Sequence, residues 1–120
     1  MMRWIVYRHR FWSAICGADI PFNENIGPGL AMPHPNGVVI HSNAIIGANC
    51  TIYQQTTIGR NHRIGEPVIG NEVIIGAGAK ILGSVTIGDG ARIGANSVVL
   101  DDVAAGETVV GIPARPVARR

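Results

Sequence analysis

The hydrophobic pattern of this chain has a period of six. Aliphatic residues stand at Ile20, Ile26 and Met32, resume at Ile40, Ile46, Ile52, Ile58 and Ile64, slip by one, and continue at Ile69, Ile75, Ile81, Ile87, Ile93 and Val99. A glycine directly follows the aliphatic in Ile26-Gly27, Ile46-Gly47, Ile58-Gly59, Ile64-Gly65, Ile69-Gly70, Ile75-Gly76, Ile87-Gly88 and Ile93-Gly94. Four residues after the aliphatic, a small or β-branched residue recurs as Cys50, Thr56, Val73, Ala79, Val85, Ala91, Ser97 and Val103.

Six is neither the 3.6 of a helix nor the 2 of a half-buried strand. It fits a short strand, a tight corner and another short strand. Each hexapeptide then makes one flat wall, and three walls close a triangular coil of about eighteen residues. Coils stack at the spacing of paired strands, about 4.8 Å. The aliphatic points inward and ladders with its copies, and glycine at the corner is expected to tolerate angles that a side chain would penalise. A fully buried Ile contributes about 1.5–3 kcal/mol, so the fourteen ladder positions offset much of the ordering entropy of a thin prism. An ordinary β-sandwich would show turns every 8–12 residues and alternating strands instead. The predicted fold is all-β, a parallel β-helix of roughly five coils between Ile20 and Val110.

The N-terminus follows another rule. Trp4, Tyr7 or Arg8, Phe11, Trp12 and Ile15 fall at three- and four-residue steps, the stripe of an amphipathic helix. Gly17 stands where a C-cap glycine belongs. The spacing predicts a short helix over 1–17 that plugs the open first coil, followed by the β-helix domain over 18–117. The Arg and Trp content of the helix also admits association with a membrane surface.

Composition narrows the class. The 120 residues are 47% hydrophobic and 15% charged, which fits one globular domain. Ten basic against eight acidic residues give a scattered net charge of +2, which argues against nucleic-acid binding. Arg3, Arg8, His9 and Arg10 break any signal-peptide core, and no apolar run is long enough to span a membrane. Cys16 and Cys50 show neither metal spacing nor a disulfide framework, so a cytoplasmic protein with reduced thiols is expected.

The segments Val73–Gly83, Val85–Val103 and Val109–Arg115 (Val-Val-Gly-Ile-Pro-Ala-Arg) resemble the hexapeptide-repeat acyltransferases, in particular serine acetyltransferases and exopolysaccharide O-acetyltransferases. The likeness runs over roughly Ala18 to Val117. It implies a left-handed coil, a homotrimer, and acetyl-CoA as cosubstrate in the groove between neighbouring prisms, with no metal. By the same resemblance Gly59, Ala77 and Ala95 line the path of CoA, and Arg115 sits near its nucleotide end.

Chemistry is expected where the repeat breaks. In Met32-Pro-His-Pro-Asn-Gly-Val38 two extra residues enter, and the resulting bulge presents His34. Imidazole titrates near neutrality and is a natural general base. The family has a catalytic His at this register, which deprotonates the acceptor hydroxyl, and an Asp fifteen residues before it that orients the ring. Asp19 stands at that spacing. The second break is Arg60-Asn-His-Arg-Ile-Gly-Glu-Pro67. Serine acetyltransferases carry a longer excursion there ending in Arg-His-Pro, whereas this chain has Gly65, Glu66 and Pro67. Pro33 and the stretch His41-Ser42-Asn43 also replace family residues that help grip serine. His41, His62 and Glu66 are candidate acceptor contacts, with a solvated surface role as the alternative for the two histidines.

These departures favour a sugar or polysaccharide hydroxyl as acceptor, because serine needs partners for an ammonium and a carboxylate. Serine remains the alternative, with Arg60 or Arg63 as the missing cation. Two other classes stay open. One is a structural prism that needs neither His34 nor Asp19. The other is a metal-dependent β-helix hydrolase of the γ-carbonic anhydrase type, although its His-x-x-x-x-His pairing is absent.

Overall fold

The computed structural model describes residues 25–61 and 65–117. The expected helix over 1–17, with Asp19, His62 and Ile64, lies outside the described residues.

The described chain is a stack of very short strands: β1 (Val39–Ile40), β2 (Ile45–Ile46), β3 (Thr51–Ile52), β4 (Thr57–Gly59), β5 (Val68–Ile69), β6 (Ile74–Ile75), β7 (Lys80–Leu82), β8 (Thr86–Ile87), β9 (Arg92–Ile93), β10 (Val98–Val99), β11 (Thr108–Gly111) and β12 (Ala114–Pro116). From β1 to β7, each strand pairs in parallel with the third strand after it, and β9 pairs with β11. This gives the walls β1-β4-β7-β10, β2-β5-β8 and β3-β6-β9-β11, hereafter the first, second and third. Bridges from Ile26 to Ile46 and from Ala31 to Thr51 extend the second and third walls upward by one coil. At the far end β12 turns back antiparallel on β11.

The ladder is the core. Ile40, Ile46, Ile52, Ile58, Ile69, Ile75, Ile81, Ile87, Ile93 and Val99 are all buried, and so are the small residues two places before them, from Val38, Ala44 and Cys50 to Ala91 and Ser97. Registers such as Ile40↔Ile58, Ile69↔Ile87 and Ile75↔Ile93 place ladder residues one above another, eighteen residues apart. The buried hydroxyl of Thr56 is satisfied by the Tyr53 carbonyl at 2.8 Å.

One expectation needs correction. Gly27, Gly47, Gly70, Gly76 and Gly88, which follow ladder residues, are required by crowding, not by backbone angle. A Cβ on Gly76 would stand 2.7 Å from the Ala95 nitrogen, and one on Gly27 2.8 Å from the Gly47 carbonyl carbon, both in the next coil. The left-handed conformation falls two residues later in the corner, on Asn49, Gln55, Glu72 and Asn96 with φ of 57–59° and on Gly29, Gly78 and Gly90 with φ of 71–77°. In the coil where Ile64 was expected as a rung, the first wall carries Ile58 and the second carries Ile69, so extra residues enter between them; Ile64 itself lies outside the described residues.

Candidate active site

Register locates both interruptions. Ile26 and Ala31 pair with residues twenty places on, Ile46 and Thr51, whereas Val39 pairs with Thr57, eighteen places on. The two extra residues therefore enter between Met32 and Val38, at the corner that leads into the first wall. His34 is exposed on this bulge. Its base is fixed by the Val38 N–H donating to the Pro35 carbonyl at 3.2 Å and the Gln55 N–H donating to the Asn36 carbonyl at 2.9 Å. Gly37 takes φ 73°, and a side chain there would collide with the Gln55 amide beneath it.

Below the bulge runs one column of corner residues. Gly78 N–H donates to the Gln54 carbonyl at 2.9 Å, and Asn96 N–H to the Ala77 carbonyl at 2.8 Å. With the Gln55–Asn36 bond, these contacts stack Asn36, Gln54, Ala77 and Ala95 in successive coils. The column is polar beside His34 and shrinks to methyl groups at Ala77 and Ala95, a strip where an extended ligand can lie close to the backbone. Lys80 edges this strip, its ammonium donating to the carbonyls of Gly78 at 2.9 Å and Gln55 at 3.3 Å.

The second interruption lies at the opposite edge of the first wall. Ile45, Thr51 and Thr57 pair with Val68, Ile74 and Lys80, each twenty-three residues on, so five extra residues enter between Gly59 and Val68. His41 N–H donates to the Ile58 carbonyl at 2.7 Å, and Gly83 N–H to the Gly59 carbonyl at 2.9 Å. His41, Gly59 and Leu82 are thus neighbours down this edge. Asn43 N–H donates to His41 Nδ1 at 3.1 Å, which in the neutral ring leaves the proton on Nε2, a donor and not a base. Arg60 Nε and Glu66 Oε1 form an ion pair at 2.9 Å across the mouth of the excursion.

Gly59 differs from the crowded corner glycines. Among the described residues a Cβ there would meet only the Thr57 methyl at 3.7 Å, and its φ is not in the left-handed region. Neither packing among the described residues nor backbone geometry demands glycine at that place.

The structure thus brings His34 together with the Ala77–Ala95 strip, and Gly59 together with His41, Arg60 and Glu66. It does not bring the two groups together. Five residues of strand separate the edges, roughly 16 Å at about 3.3 Å per residue. Arg115 lies on β12, ion-paired with Asp101 at 3.3 Å. Among the described residues no three His, Cys, Asp or Glu side chains converge as metal ligands.

A wall-by-wall stack of hexapeptide coils, broken twice on its flanks, defines the class: a parallel β-helix. A family model described as bacterial transferase hexapeptide (six repeats) matches residues 66–101, and one described as hexapeptide repeat of succinyl-transferase matches residues 37–65. The chain belongs to the hexapeptide-repeat acyltransferases and is serine acetyltransferase-like. It is 44% identical over 108 residues to a serine acetyltransferase of Synechococcus elongatus, covering 88% of this chain and 44% of the relative. A soybean serine acetyltransferase solved with serine superposes with a TM-score of 0.83 at 44% identity, over 91% of this chain and 46% of that one. A Brucella abortus serine acetyltransferase solved with coenzyme A gives 0.82 at 38% identity, over 88% and 43%. The fold is the left-handed β-helix. The chain spans about half the length of the curated relatives it matches.

Proposed function

We propose that this chain is the catalytic β-helix of an acetyl-CoA-dependent O-acetyltransferase whose acceptor is serine. The observation that carries the reading is the 40–45% identity to serine acetyltransferases over 81–88% of the chain, a span that includes both interruptions. It reverses the sugar preference drawn from the sequence. That preference rested on a missing cation, and Arg60 supplies one beside Glu66.

The site forms between copies of the chain. His34 and Gly59 lie on opposite edges of one wall, so the His34 edge of one prism meets the Gly59 edge of a neighbour in a homotrimer. The outward residues Val39, Ile45, Val68 and Ile74 are each more than a third exposed and give the walls an apolar surface to bury in such an assembly. Acetyl-CoA lies along the groove, past Ala77 and Ala95 on one side and Gly59 on the other, with Arg115 towards the nucleotide.

The transfer is direct. His34 accepts the proton of the serine hydroxyl, and the oxygen attacks the thioester carbonyl. The C–S bond breaks, and the departing thiolate takes the proton from the imidazolium to leave CoA and O-acetylserine. Asp19 holds the ring in the competent tautomer and stabilises the imidazolium. Incubating the protein with acetyl-CoA and serine should release free thiol and O-acetylserine in equal amounts, at a rate that saturates with serine. Thiol release that ignores serine and responds to a sugar would restore the glycosyl acceptor.

A further inference from the structure

We infer that Gln54 positions the arm of the acyl donor. Its side-chain oxygen accepts the N–H of the amide that lies two methylenes from the thioester sulfur, and this holds the thioester beside His34. The inference rests on the acetyl-CoA reading above and deepens it.

Three observations meet at Gln54. First, its Oε1 is buried and accepts no hydrogen bond, the one side-chain nitrogen or oxygen so placed among the described residues. A buried polar atom without a partner is costly, and native structures keep few of them. The neighbouring buried hydroxyl of Thr56 shows the usual outcome, donating towards the Tyr53 and Gly76 carbonyls at 2.8 and 3.3 Å. Second, a donor stands close by and is committed elsewhere. Lys80 Nζ donates to the carbonyls of Gly78 at 2.9 Å and Gln55 at 3.3 Å, and not to Oε1. Third, Gln54 stands directly below Asn36, on the bulge that carries His34, and directly above Ala77, where the methyl strip begins. Its backbone is held on both sides, since Gln55 N–H donates to the Asn36 carbonyl and Gly78 N–H to the Gln54 carbonyl, both at 2.9 Å. Only the side chain is left to adapt.

The atom without a partner is an acceptor, so the group that completes it is an N–H or O–H donor. A ligand that reacts at His34 and runs down the strip presents at Gln54 whatever lies one coil, about 4.8 Å, from its reacting atom. In acetyl-CoA that is the first amide of the arm, only two methylenes beyond the sulfur. Between sulfur and amide the arm carries no other proton that a carbonyl oxygen can bind. The last torsion of a glutamine is broad and soft, so the half-buried side chain turns its oxygen towards an arriving N–H without moving the backbone. An ordinary contact exchanges a bond to water for a bond to ligand; this oxygen has no bond to give up, which favours the bound state. The contact concerns the acyl donor alone and is indifferent to the acceptor.

The test uses the full chain and two small thioesters that differ at one place. S-acetyl-N-acetylcysteamine carries the amide N–H two methylenes from the sulfur, and its oxygen-ester analogue carries an oxygen there. One neutral hydrogen bond predicts that the wild type uses the amide about threefold to tenfold better in kcat/KM, with serine as acceptor. Gln54→Met, of similar length and without a polar end, should use the two thioesters equally and raise KM for acetyl-CoA by a similar factor. It should leave KM for serine unchanged and melt no lower than the wild type, because it removes an atom that had no partner. Equal use of the two thioesters by the wild type, or a preference that survives in Gln54→Met, would overturn the assignment. So would a lower melting temperature or weaker self-association of Gln54→Met with KM for acetyl-CoA unshifted, which would give Oε1 to a partner within the chain or to a second copy. Absence of thiol release from acetyl-CoA in the wild type, with serine and with sugars alike, would overturn the acetyltransferase reading and this assignment together.

Discussion

The two ends of the prism obey different rules. From Val68 to Val99 the coils repeat at a constant register of eighteen residues, and their corner glycines are jammed against the next coil. Gly76 faces the Ala95 nitrogen at 2.7 Å, and Gly70 faces the Asp89 nitrogen at 2.9 Å. From Ile26 to Pro67 the register is broken twice, the corners carry His34, His41, Arg60 and Glu66, and among the described residues the glycine at position 59 has nothing crowding it closer than 3.7 Å. The same residue type thus serves packing at Gly27, Gly47, Gly70 and Gly76 and stands open at Gly59. The regular end is a template whose rigidity fixes where the irregular end can place its side chains.

The largest effect expected from separating the two ends is on turnover. Replacing His34 with Ala should lower kcat by about 10²–10⁴-fold and leave the affinity for CoA and the melting temperature close to wild type, because the bulge is exposed and carries no core residue. Asp19→Asn should lower it less, since the base survives. Near-normal turnover in His34→Ala would move the base elsewhere, with His62 the next candidate.

At the regular end the corresponding effect is on stability. Ile81 is fully buried between Ile58 and Val99 on the first wall. Ile81→Ala should cost about 2–5 kcal/mol, read as a lower denaturant midpoint, while the KM values of the remaining folded protein stay put. The glycine contrast is smaller and sharper. Gly76→Ala must push backbone against backbone and should destabilise by about 1–3 kcal/mol. Gly59→Ala should change stability by less than about 0.5 kcal/mol and instead raise KM for acetyl-CoA. Equal effects of the two substitutions on stability would erase the distinction between a packing glycine and an access glycine.

The smallest effect is titration at Cys50. Burial pushes this thiol above its ordinary value of 9.0. In the unfolded chain the thiol ionises first, so the folded state is penalised only once pH exceeds that ordinary value. Stability should be flat in pH for this group below 9 and decline above it, and Cys50→Ala should flatten the alkaline limb of a melting-temperature profile.

The ladder was legible because burial on three walls writes itself into every sixth residue, and the His34 bulge because two extra residues displace that count visibly. Four features were not. An insertion of five looks like a slip of one in a period of six, so the count hides an excursion that the strand pairing shows. The glycines that follow the ladder residues suggest left-handed angles, yet that conformation lies two residues on, where Asn49, Gln55, Glu72 and Asn96 stand beside the glycines Gly29, Gly78 and Gly90, and the crowding at Gly76 comes from a coil eighteen residues away. The spacing of Gly59, Ala77 and Ala95 is also eighteen each time. That equality invites a single column, but the five inserted residues carry Gly59 to the far edge of the wall. The Arg60–Glu66 contact depends on the path of that excursion, and no local rule of sequence encodes it.

That far edge makes the decisive test. His34→Ala and Gly59→Leu should each be nearly inactive alone, the first for want of a base and the second because its side chain fills the groove. When the two are unfolded together and refolded as a mixture, a site between copies can draw Gly59 from one chain and His34 from the other. Random assembly of a homotrimer then restores about a quarter of wild-type activity. Co-assembled trimers of the two variants that stay inactive would contradict the shared site.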